Sequence, residues 1–142
     1  MDAQTVHERR WQILAVMSLS LVITLLNNVT VNVALPELSQ DLGADNTALQ
    51  RFMDAYVVVF GGMLLVMGAV GDRFGRKPAL MGGLAVVGLV SALTAQYATT
   101  SDHVIGARAL MGLGSALVMP ATLSIIVVVF PPEERGKAVG IW

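Results

Sequence analysis

The sequence predicts an all-α integral membrane protein with about four transmembrane helices, and three observations support this class. First, 55% of the 142 residues are apolar and only 13% are charged, whereas ordinary soluble domains carry about 25% charged residues. Second, the chain contains four long apolar runs with almost no charge inside them. Third, lysine and arginine concentrate in alternate connections between these runs. Because a membrane helix needs roughly 20 consecutive apolar residues, each run is long enough to cross a bilayer.

The predicted spans follow these runs in chain order. They cover about residues 11–35, 52–71, 79–98 and 103–130, and the start of a fifth is expected from about residue 136. The first run ends before Pro36, the second carries Asp54 near its start, and the fourth carries only Arg108 in its first turns. The segment from Phe130 to Lys137 combines prolines with charged residues, so it is expected to be a loop. The fifth run then stops early, and we expect the chain to be the N-terminal portion of a longer protein.

The distribution of basic residues predicts the orientation in the membrane. Cytoplasmic loops carry an excess of lysine and arginine. If the spans alternate, one side holds Arg9, Arg10, Arg73, Arg76, Lys77, Arg135 and Lys137, whereas the other holds Arg51, Arg108 and the acids Glu37, Asp41, Asp45 and Asp102. Residues 1–10 are therefore predicted to form a cytoplasmic N-terminus and residues 11–142 a membrane domain. The expected location is the plasma (inner) membrane, with several crossings.

Composition also argues against several classes of function. The net charge of −1 offers no basic face for a nucleic-acid partner. The chain has no cysteine, which excludes disulfides and thiol catalysis. Its two histidines, His7 and His103, lack carboxylates at ligand spacing, so no metal site is expected. No nucleophile–base pair, phosphate-binding loop or carboxylate dyad is recognisable, so we expect neither an enzyme nor a cofactor.

The loop between the second and third predicted spans carries a recognisable motif. Residues 68–80 read GAVGDRFGRKPAL. Glycine permits close helix approach at Gly68 and a tight reversal at Gly75, and Asp72 can accept charge-assisted hydrogen bonds from a helix N-terminus or an arginine. Any membrane protein can have a basic loop with a turn glycine. The acid, Arg73, Arg76 and both glycines together resemble the signature loop of the major facilitator superfamily, written G-x-L-a-D-r-x-G-r-k-x-x-l.

Three further segments resemble one branch of that superfamily, the drug:proton antiporters with about fourteen spans. Residues 32–36 read NVALP, like the branch's "VNVALP" ending of the first helix. Residues 49–56 read LQRFMDAY, like "LQWxxDAY", with Arg51 and Phe52 as departures. Residues 105–114 read IGARALMGLG, like the fourth-helix motif "RxxQG", with Met111 in place of glutamine. The resemblance covers nearly the whole chain from about residue 12.

The resemblance implies a fold, a function and a set of partners. The four helices would form part of the N-terminal six-helix bundle, namely its first three-helix repeat and the first helix of the second. The implied function is secondary active transport, as a proton-driven multidrug or small-molecule exporter present here as a truncated N-terminal portion. The implied partners are the lipid bilayer, protons, a small lipophilic or cationic substrate, and the missing C-terminal helices or another subunit. Asp72 of the loop would contact the opposite half and stabilise one conformation of the cycle.

The first helix departs from the branch at one position. The branch usually carries an aspartate there, in an "LDxT" stretch implicated in proton coupling, whereas this chain has Asn27. An amide can bind a substrate or a neighbouring helix by hydrogen bonds, but it does not titrate. The resemblance therefore identifies no proton-coupling residue at this position.

Arg108 is the main candidate for the coupling or substrate path. An arginine at a helix centre costs about 2.5–3.5 kcal/mol on insertion scales, so it usually faces a cavity or a partner; the alternative is an arginine that reaches the nearby interface. Asp54 either pairs with Arg108, titrates, or is a solvated acid at a helix start. Asn28 and Asn32 share a helix face, where they either line a central cavity or bind another helix.

Helix packing is assigned to Gly112, Gly114 and Pro120, and Pro120 is expected to kink the fourth helix. A second reading of the whole chain stays open: a small membrane protein that does not transport and acts by oligomerisation or as a partner subunit. Small four-helix multidrug transporters depend on a glutamate in the first helix, and the first span here contains no acid.

Overall fold

The structure is a computed structural model that describes residues 8–142, and these residues form five helices. The helices are α1 (Arg10–Asp41), α2 (Asn46–Phe74), α3 (Arg76–Tyr97), α4 (Ser101–Val129) and α5 (Pro132–Ile141). The first four are long and apolar enough to cross a membrane, which confirms the predicted all-α membrane class. Most of the predicted cytoplasmic N-terminus, residues 1–7 with His7, lies outside the described residues.

The helices extend beyond the apolar runs because hydropathy marks the membrane core and not the helix ends. α1 continues through Pro36 to Asp41; a proline inside a membrane helix is tolerated when neighbouring groups satisfy the freed carbonyl. α2 begins at Asn46, where the side chain of Asp45 accepts a hydrogen bond from the backbone N–H of Ala48 at 2.8 Å. This is the N-cap geometry that aspartate favours.

The prediction of a loop from Phe130 to Lys137 holds for Phe130 and Pro131 but is wrong from Pro132 onward. α5 begins at Pro132, which occupies the first turn, and Glu133 and Glu134 follow it there. Proline is pre-organised for the first position of a helix, and acidic residues are stabilised near the positive end of the helix dipole. The prolines and acids therefore start a helix in this segment.

The four long helices alternate in direction and give the molecule two ends. The basic end holds Arg10, the α2–α3 loop and the α4–α5 loop, and the acidic end holds the α1–α2 and α3–α4 loops. Each end has an apolar cluster: Leu14, Leu80 and Phe130 belong to the cluster at the basic end, and Phe52 and Val104 to the one at the acidic end.

α4 lies at the centre of the bundle and carries more buried residues than any other described helix. On one face its backbone touches α3: a Cβ atom added to Gly114 would lie 2.9 Å from the carbonyl oxygen of Gly83. On the opposite face a Cβ atom at Gly112 would lie 2.6 Å from the carbonyl oxygen of Tyr56 on α2. Small residues permit this close approach in membrane bundles. The backbones of α2 and α3 therefore each pack closely against the backbone of α4.

Candidate functional site

The guanidinium of Arg108 is buried where α1, α2 and α4 meet. The residue is only 1% exposed. Its Nε donates a hydrogen bond to the carbonyl oxygen of Phe52 at 3.0 Å, and its Nη2 donates to Oδ1 of Asn28 at 2.7 Å. The guanidinium carbon also lies 4.5 Å from the ring centroid of Tyr56, which is a cation–π distance. One side chain of α4 thus binds groups from two other helices.

The positions of Arg108 and its partners follow from helix register. Gly112 lies one turn after Arg108 on α4, and Tyr56 lies one turn after Phe52 on α2, so each pair shares a helix face. Because Gly112 has no side chain, the backbone of α2 approaches α4 at Tyr56. This close approach brings the Phe52 carbonyl and the Tyr56 ring within reach of the guanidinium.

Arg108 has no carboxylate partner within the part of the chain that the structure describes. The ion pairs there are Arg10–Glu134 and Arg76–Asp72. A pairing between Asp54 and Arg108 is therefore wrong. Asp54 is exposed, because it lies two residues after Phe52 and hence about 200° around α2 from it. The head group of Arg108 does not reach an interface either, since the residue is buried.

The three asparagines of α1 face different surroundings. Asn28 holds Arg108 and lines a cavity of about 320 Å³ together with Tyr56 and Ser115. Asn27 donates from Nδ2 to Oγ of Ser91 on α3 at 3.3 Å, and its Oδ1 is buried without a hydrogen-bond partner. Asn32 is exposed. The structure brings Asn28 into the Arg108 site but places Asn27 against α3 and Asn32 outside both contacts.

The motif loop joins three helices at the basic end. Gly75 ends α2 with a φ of 105°, a backbone conformation that favours glycine. Across this turn, Arg76 Nε and Asp72 Oδ1 lie 3.5 Å apart, and the Asp72 side chain is 65% exposed. Arg76 also donates from Nη1 to the carbonyl oxygen of Ser124 on α4 at 2.9 Å. The guanidinium of Arg73 lies 5.6 Å from the ring centroid of Phe74.

Gly68 and Pro120 lie against each other between α2 and α4. A Cβ atom added to Gly68 would lie 3.6 Å from Cβ of Pro120, which is ordinary van der Waals contact. Pro120 lies inside α4, and the helix continues across it to Val129.

Sequence reasoning missed Tyr56 as part of the Arg108 site and missed a contact at the basic end. There, Nε and Nη2 of Arg10 donate to Oε2 and Oε1 of Glu134 at 2.9 and 3.3 Å. Trp11 packs edge-on against Phe130 with ring centroids 5.3 Å apart. The spacing of Phe52 and Tyr56 at one helical turn was a usable signal for the role of Tyr56. The contact between Arg10 and Glu134 depends on where α5 begins.

Comparison with known families decides the classification. The family model described as Major Facilitator Superfamily matches residues 17–142. The chain belongs to the Major Facilitator Superfamily. This membership confirms the resemblance read from the motif loop, and with the four apolar helices it makes the chain part of a multi-pass membrane protein. Members of this superfamily are in general transporters and not enzymes.

Relatives within the Major Facilitator Superfamily carry names of drug resistance and efflux. The chain is 38% identical over 135 residues to the methyl viologen resistance protein SmvA of Salmonella typhimurium. It is 39% identical to the puromycin resistance protein pur8 of Streptomyces alboniger and 37% identical to the multidrug efflux pump LfrA of Mycolicibacterium smegmatis. Each match covers 94% of this chain but only 27% of the relative. The chain therefore spans about a quarter of the length of these relatives.

Proposed function

We propose that this chain is the N-terminal part of a secondary active transporter that exports small lipophilic or cationic compounds in exchange for protons. The proposal is supported by the membership in the superfamily and by the resistance and efflux names of relatives that match 94% of the chain. The positive-inside rule supports a cytoplasmic basic end and a plasma-membrane location. The remaining helices of the transporter, or another subunit, complete the transport path.

The observation that carries the proposal is the buried Arg108 of α4, which binds groups of α1 and α2. A charge inside a membrane span is costly and marks a substrate or ion path in most cases. Because Arg108 binds Asn28 of α1 and Phe52 of α2, any substrate or proton that changes the field at its guanidinium acts on three helices together. The motif loop, with Gly68, Asp72, Arg73, Gly75 and Arg76, is proposed to bias the two states of the alternating-access cycle.

Proton coupling is proposed to use a carboxylate outside α1. Asn27 and Asn28 do not titrate, and Asn28 is the α1 group that Arg108 binds. Asp54 is the acid of α2 closest to this site in sequence, and it faces away from Arg108. Its exposed face is where the remaining helices of the transporter are proposed to pack. Asn32, also exposed, is proposed to line the same path.

The test is to measure export by the Arg108→Ala variant of the protein expressed from its complete gene. We expect efflux of a fluorescent lipophilic cation from energised cells to fall more than about tenfold. Removing a group that holds several helices together typically reduces activity by more than the loss of a single hydrogen bond would. Arg51→Ala is the matched control, because Arg51 is an exposed arginine at the same end. Retained export in Arg108→Ala, at a normal amount of protein in the membrane, contradicts the proposal.

A further inference from the structure

One nitrogen of the Arg108 guanidinium makes no hydrogen bond within the described residues. Its Nη1 is buried and has no hydrogen-bond partner, while Nε and Nη2 are held by Phe52 and Asn28. These partners are a carbonyl oxygen, an amide oxygen and the Tyr56 ring, all of them neutral. Buried charges are normally paired, because a lone ion loses its hydration without compensation. The site therefore lacks a negative charge within the described residues.

A cavity next to Arg108 has room for an anion that would supply this negative charge. Arg108 forms part of the wall of a cavity of about 270 Å³ between α1, α3 and α4 at the acidic end. Asp41, which is exposed at the end of α1, forms another part of that wall, so the cavity extends toward the surface. Since a water molecule occupies roughly 30 Å³ in the liquid, the volume holds several waters or a small hydrated anion.

The wall favours an anion over a cation at its Arg108 side. Thr94 also lines the cavity, but its hydroxyl already donates to the carbonyl oxygen of Val90 at 2.6 Å. Among the residues that line the cavity, Arg108 is therefore the cationic hydrogen-bond donor. Asp41 is a like charge for an anion, so it weakens anion binding and makes it sensitive to substitution at Asp41.

We propose that this cavity binds a small inorganic anion of the size of chloride as the counter-charge of Arg108. The anion enters from the acidic end, past Asp41, and approaches the guanidinium on its Nη1 side after a small opening of the cavity wall. Anion binding at this site can be measured without transport, since it requires only the buried arginine and the cavity.

The test is thermal unfolding of the detergent-purified full-length protein in sodium chloride, bromide or gluconate at equal ionic strength. Gluconate is much bulkier than chloride and serves as the reference anion, because a site of the size of chloride does not bind it. We expect the Tm to be higher in chloride and bromide than in gluconate. Above the dissociation constant, each tenfold rise in chloride should raise the Tm by about 1–2 °C through mass action, because the shift falls as the protein becomes longer. Equal Tm values in the three salts overturn the proposal.

Three variants locate the anion. Arg108→Gln should abolish the difference between chloride and gluconate, whereas Arg51→Gln, with the same charge change at an exposed position, should preserve it. Asp41→Asn should lower the chloride concentration of half-maximal effect by about two- to fivefold, the size expected for one partly screened charge. Chloride dependence that persists in Arg108→Gln overturns the proposal.

Asp41→Asn also decides the matter if Arg108→Gln does not fold, since Asp41 is exposed. If Asp41 were itself the counter-charge, acting through water, the substitution would lower the Tm equally in every salt. That result contradicts an anion site. Tighter chloride binding in Asp41→Asn supports it.

Discussion

Arg108 and Arg76 lie at opposite ends of the bundle and hold their helices in different ways. Each donates to a backbone carbonyl of a neighbouring helix, Phe52 at 3.0 Å and Ser124 at 2.9 Å respectively. Arg108 is 1% exposed and has an amide as its side-chain partner. The Arg76 side chain is 38% exposed and has the carboxylate of Asp72.

The difference shows how the surroundings of a charge decide what its contacts are worth. At the basic end, water reaches the Arg76–Asp72 pair, and an exposed ion pair contributes little and exchanges easily. At the acidic end, neutral dipoles hold a charge that is buried, so each contact matters more. We therefore expect the acidic end to keep its geometry during conformational change and the basic end to rearrange.

Gly112→Ala should have the largest effect on stability in this comparison. The added Cβ atom would lie 2.6 Å from the backbone oxygen of Tyr56, so α2 must move away from α4 and away from Arg108. Overpacking of this kind costs about 1–3 kcal/mol in the free energy of unfolding. Thermal unfolding in detergent measures it. Gly106→Ala on the same helix has open space around its Cβ position and should not destabilise; equal losses in the two variants would show that the α2–α4 contact is not responsible.

Asn28→Ala should have an intermediate effect, because it removes the side-chain acceptor of Arg108. Interhelical hydrogen bonds in membranes contribute about 0.6 kcal/mol on average and up to about 1.7 kcal/mol, and this one involves a charge. We expect a loss of about 1–2 kcal/mol, measured by the same unfolding assay. Asn32→Ala, one turn further along α1 and exposed, is the control and should be nearly neutral. A neutral Asn28→Ala would mean that the acidic end is no more tightly held than the basic end.

Asp72→Asn should have the smallest effect on stability. An exposed ion pair, here across the Gly75 turn between α2 and α3, contributes about 0.2–1 kcal/mol. Salt sharpens the test: at about 1 M salt the screening length falls to about 3 Å, so wild type and variant should converge. A loss of more than about 1 kcal/mol that persists at high salt would break the comparison.

The number and order of the spans could be predicted from the sequence, because uninterrupted apolar length is sufficient to identify a membrane helix. The partner of Arg108 could not be predicted from the sequence. α1 is apolar on most of its surface: Ile23 and Leu25 are both exposed although they lie about 200° apart around the helix, so its pattern does not select the face that meets α4. The sequence therefore suggested Asp54, which has the opposite charge, whereas helix rotation brought the amide of Asn28 to Arg108.

The start of α5 was missed for a different reason. Prolines and charges were read as loop signals, although proline at a first helical position and acids in the first turn are also start signals. The ion pair of Arg10 with Glu134 depends on that helix, so it was missed as well. Local signals that serve both a loop and a helix start need the following residues, here Gly136 to Ile141, to be read as helix before they can be assigned.

The order in which the Arg108 site is synthesised has a consequence for how the protein enters the membrane. Asn28 precedes Arg108 by 80 residues and Phe52 precedes it by 56, so both acceptors leave the ribosome well before the arginine does. When α4 reaches the translocon, α1 and α2 are already available to receive its charge. Lateral release of α4 into lipid is then a joint event of three helices, and an isolated α4 segment should be retained longer in the translocation channel than one that follows its natural predecessors.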